Sequence, residues 1–204
     1  MSSLKLTADG GGGTVAIKGP ASTTGNNPFE LIVPGTASGT ILTSNSSVGK
    51  ILQVKSVTKT DTFTTTSSSN YVDITGLSVS ITPAANSKIL VMGVLQTSNS
   101  VAGSRNHFRL YRDSNAIAIG DARSNRARST FTSETNGGGG EMRNSALIHL
   151  DENHGGNGST AITYKWRAAA IDGNTLQVNM SVADSDSASY GTVPSFLTVM
   201  EVAA

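Results

Sequence analysis

Apolar and polar residues alternate along much of the chain, most regularly between Thr160 and Val182. Around Trp166 every second residue is apolar, which is the period of a β-strand with one buried face. Asp172 and Gly173 follow, and glycine readily adopts the positive φ that a tight turn needs. The sequence therefore predicts a β-hairpin over residues 160–182, with the only tryptophan of the chain in the core.

Similar short segments recur through residues 49–204, separated by turn residues. Besides the hairpin, we predict strands at residues 49–66, 71–74, 77–81, 88–95, 107–112, 116–119, 142–150 and 196–202. Residues 88–95 are almost continuously apolar, which is typical of a central strand buried on both faces. Residues 120–140 are predicted to form a long polar loop. About ten short strands predict an all-β fold, an antiparallel jelly-roll β-sandwich at residues 49–204.

The first 48 residues have a different pattern. We predict strands at residues 4–6, 14–18, 29–33 and 40–43, each stopped by glycine, proline or polar residues. Each piece has too few apolar residues to close a core alone. Residues 1–48 are therefore expected to form an extended N-terminal arm, which either lies on the main domain or pairs with copies of itself or with a partner protein; short strands with glycine and proline stops favour the intermolecular pairing. Gly10–Gly13 is predicted to be a flexible turn, because no GK[ST] sequence and no helical pattern follow it.

Composition excludes several classes of protein. Charged residues make up 14% of the chain and the formal net charge is +1, which argues against binding to nucleic acid through general electrostatic attraction. There is no cysteine, so a disulfide framework and thiolate chemistry are excluded. No apolar run reaches the roughly 20 residues of a membrane span, and the N-terminus lacks the apolar segment of a signal peptide. We expect no membrane insertion.

Several segments of the sequence resemble a known family. They are GGTVAIKGPAS at residues 12–22, FELIVP at 29–34, GKILQV at 49–54, YVDITGLSVSITP at 71–83, SKILVM at 87–92 and FLTVMEV at 196–202. Together they resemble the tail-fibre and virion fibre proteins of marine bacteriophages, of the cyanophage type. The resemblance implies a C-terminal jelly-roll domain of the TNF/C1q-like kind, assembled as a homotrimer. It also implies that the arm attaches the protein to other virion proteins or entwines sister chains.

Six of the eight arginines fall within a short span. They are Arg105, Arg109, Arg112, Arg123, Arg126 and Arg128. Guanidinium groups suit bidentate binding of anionic groups, so this span is a candidate site for an anionic host-surface glycan or phosphate. The alternative is that these arginines pair with acidic residues of the same or a neighbouring subunit. Arg123, Arg126 and Arg128 are our candidate receptor-binding residues here.

A second candidate lies in the loop at residues 152–159. Asn153, His154 and Asn157 are candidate receptor-binding residues there, because long exposed loops most often contact partners. The loops at residues 98–106 and 122–140 are expected to contribute for the same reason. Asp151, Glu152 and His154 together could ligate a metal ion, but their spacing matches no defined motif, so neither a metal nor another cofactor is predicted.

No enzymatic motif is present: the sequence contains neither a nucleophile elbow nor a zinc-binding helix motif. We expect a non-enzymatic structural protein of the virion, assembled in the cytoplasm of the bacterial host. Its expected role is that of a homotrimeric tail or capsid fibre whose head domain mediates host attachment. The alternatives are a capsid decoration or cement protein with no receptor, and a carbohydrate-active tailspike enzyme with two carboxylates across a groove.

Overall fold

The computed structural model of the protein describes residues 50–203, and the predicted arm lies outside them. This part of the chain contains eleven strands and no helix. The strands are β1 (Ile51–Lys59), β2 (Phe63–Thr65), β3 (Val72–Ile81), β4 (Lys88–Asn99), β5 (Arg105–Arg112), β6 (Asn115–Ile117), β7 (Phe131–Glu134), β8 (Arg143–Asp151), β9 (Ile162–Ala170), β10 (Leu176–Val178) and β11 (Ser195–Val202). The prediction of an all-β fold is confirmed.

The strands form two antiparallel sheets packed face to face. In the larger sheet the order is β1-β11-β4-β10-β2, and β8 pairs with the opposite edge of β4. In the smaller sheet the order is β3-β9-β5-β6, and β7 pairs with β5 beside β6. A sheet β1-β11-β4-β8 facing a sheet β3-β9-β5 is the arrangement of a jelly roll, as predicted.

Alternating residues of both sheets meet in one core, as the period of two in the sequence requires. The buried residues at its centre are Leu77, Val79, Ile89, Val91, Leu95, Phe108, Leu110, Tyr164, Trp166, Leu197 and Val199. The ring of Phe131 stacks on Phe108 with centroids 4.7 Å apart and meets the edge of Trp166 at 5.3 Å. The prediction that Trp166 lies in the core is confirmed.

Gly93 makes room for this tryptophan. It lies in the middle of β4 on the face that points into the core, opposite the indole of Trp166. A Cβ at position 93 would lie 3.0 Å from Nε1 and 3.1 Å from Cζ2 of that ring. Glycine usually weakens a central strand, so its presence here marks a close approach of the indole to the backbone.

The predicted hairpin at residues 160–182 is wrong. β9 belongs to the smaller sheet and β10 to the larger one, so the two strands do not pair with each other. Gly173 does have the positive φ that was predicted, 74°, and its N–H donates to the carbonyl of Ala170. The turn therefore moves the chain from one sheet to the other, which is the step that closes a sandwich.

Within the described part of the chain, the prediction that residues 88–95 are buried on both faces is also wrong. Alternate residues of β4 are buried, while Leu90, Met92 and Val94 remain partly exposed on the outer face of the larger sheet. Residues 146–150 do alternate as predicted, but their apolar side chains point outward too. The cause is that no described segment of the chain forms a third layer over this face.

Two smaller predictions also need correction. The polar loop predicted at residues 120–140 contains β7, which pairs with β5. The segments predicted at 71–74 and 77–81 form a single strand, β3, with an irregularity between Asp73 and Ser78 where Gly76 has a φ of 84°. In both cases pairing with a neighbouring strand decides the structure, and the local sequence does not show it.

The two ends of the sandwich differ in what they present. At one end, which we call the entry end, Lys50 accepts a hydrogen bond from the N–H of Ala203, and the loop at residues 152–158 follows β8. At the far end, Gly103 bonds to Thr135 and Ser100 to Thr175. The predicted contact loop at 98–106 lies at the far end, whereas the loop at 152–159 lies at the entry end.

Candidate functional site

The outer face of the larger sheet is apolar. We call it the apolar face, and it consists of Val54, Leu90, Met92, Val94, Ala146, Ile148, Leu150, Phe196 and Met200. The strand register places these residues side by side, with Met92 opposite Ile148 and Val94 opposite both Ala146 and Phe196. Ile148 is 76% exposed and Val54 48%. Singly exposed apolar residues are ordinary, but a contiguous group of them indicates a contact surface.

A shallow depression of about 250 Å³ lies in the apolar face. Its lining residues are Met92, Gly93, Val94, Ala146, Leu147, Ile148, Phe196 and Thr198. None of these side chains is charged. The sequence analysis missed this surface, because it assigned the alternation at residues 146–150 and the apolar run of β4 to the interior of one chain.

The outer face of the smaller sheet has the opposite chemistry. Arg109 of β5 lies directly opposite Arg167 of β9 in the strand register. The guanidinium carbon of Arg109 lies 3.8 Å from the centre of the Tyr71 ring, and that of Arg167 lies 4.7 Å from the centre of the Tyr111 ring. Such cation–π contacts keep extended guanidinium groups against the sheet.

Asp73 is the carboxylate on this face. It accepts hydrogen bonds from Arg167 and from Lys165, the latter at 2.8 Å. Burial alone would raise the pKa of the Asp73 carboxyl, but these two cationic donors hold the pKa below its usual value. Asp73 thus neutralises part of the positive charge at this end of the face.

The loop at residues 118–130 is fixed to the same face. Nε of Arg109 donates to the carbonyl of Arg128 at 2.6 Å, and Nε of Arg128 donates to the carbonyl of Gly120 at 2.6 Å. The hydroxyls of Tyr71 and Ser129 are 3.0 Å apart. The loop therefore presents its arginines from a defined backbone.

The predicted residues Arg123, Arg126 and Arg128 all lie in this loop. All three are exposed, and the side chains of Arg123 and Arg126 make no hydrogen bond or ion pair with any residue of 50–203. We call Arg109, Arg123, Arg126, Arg128, Lys165 and Arg167 the basic patch. The sequence analysis missed Lys165 and Arg167, because strand pairing alone brings β9 beside β5.

Two of the six clustered arginines form ion pairs with acidic residues of the same chain, which is the alternative to ligand binding given in the sequence analysis. Arg105 pairs with Asp172 at the far end. Arg112 points inward and pairs with Asp151 at 2.8 Å, and the hydroxyl of Tyr164 donates to the same carboxylate at 2.8 Å. Burial, together with this hydrogen bond to Asp151, raises the pKa of the Tyr164 hydroxyl far above its usual value.

The predicted receptor-binding role of His154 conflicts with its position, because this residue is only 7% exposed. Its Nε2–H donates to the carbonyl of Ser87 at 2.7 Å, and its Nδ1 accepts from the N–H of Gly156 at 2.8 Å. Asn157 is also engaged locally, since its Oδ1 accepts from the N–H groups of Ser159 and Thr160. Both side chains therefore make hydrogen bonds within the protein: His154 bonds to its own loop and to Ser87 of the neighbouring loop, and Asn157 bonds to its own loop.

Asn153, the third predicted residue of this loop, is exposed. It lies with His154 at the edge of a cavity of about 300 Å³ between the loops at 85–87 and 152–156. The neighbouring carboxylates already have protein partners, Asp151 as described and Glu152 in an ion pair with Lys88. Within residues 50–203, no group of three side chains is arranged to hold a metal ion.

His107 lies between Arg105 and Arg109 on β5. Its Nδ1 is buried and has no hydrogen-bond partner among the described residues. Burial lowers the pKa of this imidazole, and the charges of Arg105 and Arg109 lower it further.

No helix in the described part of the chain is long and apolar enough to cross a membrane.

Comparisons with known proteins complete these observations. No protein-family model matches the chain, and no curated protein matches it. Among solved structures, it is similar to infectious bursal disease virus Gx strain (14% identity, TM-score 0.40, 82% of this chain and 42% of the other). It is also similar to the VP2 subviral particle of that virus (17%, 0.37, 74% and 38%). The chain thus spans less than half the length of those proteins.

A third similar structure is the tripod from the baseplate of bacteriophage Tuc2009, at 11% identity and a TM-score of 0.25. Here the match covers 94% of this chain and 84% of the other. All three structures are of virus particles or of parts of them.

Proposed function

We propose that this protein is a non-enzymatic structural component of a bacteriophage virion, a homotrimeric fibre whose jelly-roll head contacts the host surface. The observation that supports it most is the apolar face. The sequence of β4 has the composition of a strand buried on both faces, yet residues 50–203 of one chain leave one of those faces open. Another copy of the same chain would complete the burial.

The apolar face is well suited to contact between copies. It runs across four neighbouring strands and is made of aliphatic and aromatic side chains, as in the core of a permanent interface. Full burial of one isoleucine or phenylalanine side chain contributes about 1.5–3 kcal/mol. Closed cyclic symmetry would let each copy use the same surface. The family resemblance of the sequence favours three copies.

The two ends of the sandwich suggest how the fibre is oriented. We infer that the entry end, where Lys50 and Ala203 lie side by side, faces the other virion proteins. The loops of the far end and the exposed side of the smaller sheet would then face the host. We therefore propose that these surfaces, and not the loop at 152–159, contact the receptor.

The test is the mass of the purified full-length chain by light scattering. We expect a particle of three times 20.9 kDa. Ile148→Glu places a charge in the apolar face and should give a monomer, because burying an unpaired carboxylate is unfavourable. Ser78→Glu is the matched control: it adds the same charge at an exposed position on the outside of the smaller sheet and should leave the trimer intact.

A wild-type monomer, or a trimer that tolerates Ile148→Glu, would contradict the proposal. Cell binding then separates a receptor-binding fibre from a decoration or cement protein, which needs the same apolar contacts but no receptor. A fibre head should bind host cells, whereas a cement protein should bind only to the particle. Release of reducing sugar from host polysaccharide would instead identify a tailspike enzyme.

A further inference from the structure

We propose that the basic patch binds an acidic polysaccharide, with its arginines holding the sulfate, phosphate or carboxylate groups. This inference deepens the proposed function and rests on it only in identifying the surface that faces the host. The binding chemistry itself belongs to the single sandwich.

The charge of the patch is strongly one-sided. Arg109, Lys165 and Arg167 lie on the outer face of the smaller sheet, and Arg123, Arg126 and Arg128 lie in the loop that Arg109 anchors to it, in a chain whose net charge is only +1. The nearby carboxylates are Asp73, which is already bonded to Arg167 and Lys165, and Asp121 at the surface of the loop. A concentration of cations on an otherwise balanced protein attracts anions to that surface.

The strand register contains a pairing that folding alone does not favour. Arg109 and Arg167 face each other directly across β5 and β9, and like charges in that position destabilise a sheet. Asp73 compensates the positive charge of Arg167 but makes no hydrogen bond with Arg109. Arg109 contacts the Tyr71 ring and donates Nε to a carbonyl, while its terminal nitrogens donate to no described residue. An anion bound at these nitrogens would remove the repulsion.

The loop supplies further donors from an ordered backbone. Arg128 is fixed by its contacts with Gly120 and Arg109, and the N–H of Arg126 donates to the carbonyl of Arg123 at 3.1 Å in a turn. The side chains of Arg123 and Arg126 extend from that turn into solvent. A preformed backbone lowers the entropy lost when these side chains bind a ligand.

An acidic polysaccharide fits better than a nucleic acid. Proteins that bind single strands stack bases on open aromatic faces, whereas the tyrosines of this surface, Tyr71 and Tyr111, are each covered by a guanidinium. Guanidinium groups bind the planar or tetrahedral anions of acidic sugars in a bidentate manner. Three patches on one trimer would bind a repetitive polymer together and gain affinity by multivalency.

The experiment measures binding of the full-length protein to immobilised dextran sulfate and carboxymethyl dextran, with uncharged dextran as the matched polymer. We expect binding to at least one charged polymer, none to dextran, and weaker binding at higher salt. Arg123→Ser with Arg126→Ser should weaken that binding about tenfold, because it removes two exposed ion pairs that each contribute modestly. These side chains have no hydrogen-bond or ion-pair partner within residues 50–203, so the variant should unfold at the wild-type temperature.

Lys55→Ser with Lys88→Ser is the control, because it removes the same charge outside the basic patch. It should bind like the wild type; an equal loss in both variants would mean only general charge attraction and would overturn the proposal. Absence of binding to either charged polymer, or tighter binding to single-stranded DNA, would overturn it as well. Light scattering on the same samples reports the trimer separately, so failure of this site is distinguishable from failure of the proposed assembly.

Discussion

Trp166 and Gly93 show how one residue at the centre of the sandwich sets the requirements for another. The indole is the largest buried side chain, and it fits because the strand opposite offers a backbone without a Cβ. The sequence predicts the buried tryptophan from its alternating neighbours. It does not predict the glycine contact, because that depends on which residue of the other sheet lies across the core.

Gly93→Ala should therefore destabilise the protein. The new methyl group would lie 3.0 Å from Nε1 of a ring that is held by Phe131 and completely buried, so the core must shift. Overpacking of this kind costs about 1–3 kcal/mol. Urea denaturation measures the change in the free energy of unfolding. Gly191→Ala is the control: a Cβ there meets nothing within 4 Å, and this variant should match the wild type.

Asp151 is a second residue whose side chain stabilises the interior of the sandwich. It is nearly buried and accepts hydrogen bonds from both Arg112 and Tyr164. Asp151→Ala leaves the Tyr164 hydroxyl without an acceptor and Arg112 with only the carbonyl of Asn153, and should cost about 3 kcal/mol. Thermal denaturation is the measurement. Glu152→Ala removes the adjacent, exposed carboxylate and should hardly change the melting temperature; equal effects of the two would contradict this assignment.

His107 predicts how stability depends on pH. The pKa of its imidazole in the folded protein lies below the usual value of 6.5, because of burial and then of the charges of Arg105 and Arg109. As pH falls through 6.5, the unfolded chain takes up this proton before the folded one does. The free energy of unfolding must therefore decrease as pH falls from 6.5 to the lower folded pKa.

His107→Gln should flatten that part of the curve of stability against pH. Urea denaturation at a series of pH values measures it. His149→Gln is the control, because it makes the same substitution on β8 and leaves His107 in place, so the slope caused by His107 should remain. If the slope is unchanged in His107→Gln, the loss of stability in this range has another source.

At the scale of strands, local pattern and strand pairing make separate contributions. The sequence predicts strands as regular as β5 and β11 well, because alternation is a local property. It fails for β7, a short polar strand that exists because β5 offers it a free edge. It also misassigns β9 and β10 as a hairpin, because a turn with positive φ serves equally well for a change of sheet.

The candidate site follows the same rule. The sequence identifies Arg123 and Arg126, since clustered arginines are visible without a structure. It cannot identify Arg167, whose place beside Arg109 results from the pairing of β5 with β9. Nor can it exclude His154, which is buried because its two ring nitrogens bond to the backbone of two different loops.

At the scale of the whole molecule, the sandwich has one apolar and one basic outer surface. The alternation in β8 predicts correctly that Ile148 and its neighbours share a face, but alternation does not reveal whether that face lies inside one chain or between chains. The apolar run of β4 contains the missing information. Burial on both faces becomes consistent with a two-layer fold once a second copy forms the third layer.

If copies of the chain cover the apolar face, the stability of the protein must depend on its concentration. Association shifts folding by mass action, so the melting temperature of the wild type should rise when the protein concentration is raised. Ile148→Glu should melt at a lower temperature that does not change with concentration, while Ser78→Glu should behave like the wild type. Differential scanning calorimetry over a wide range of concentrations measures this. A wild-type melting temperature independent of concentration, in samples that light scattering shows to dissociate within that range, would mean that the apolar face is not stabilised by self-association.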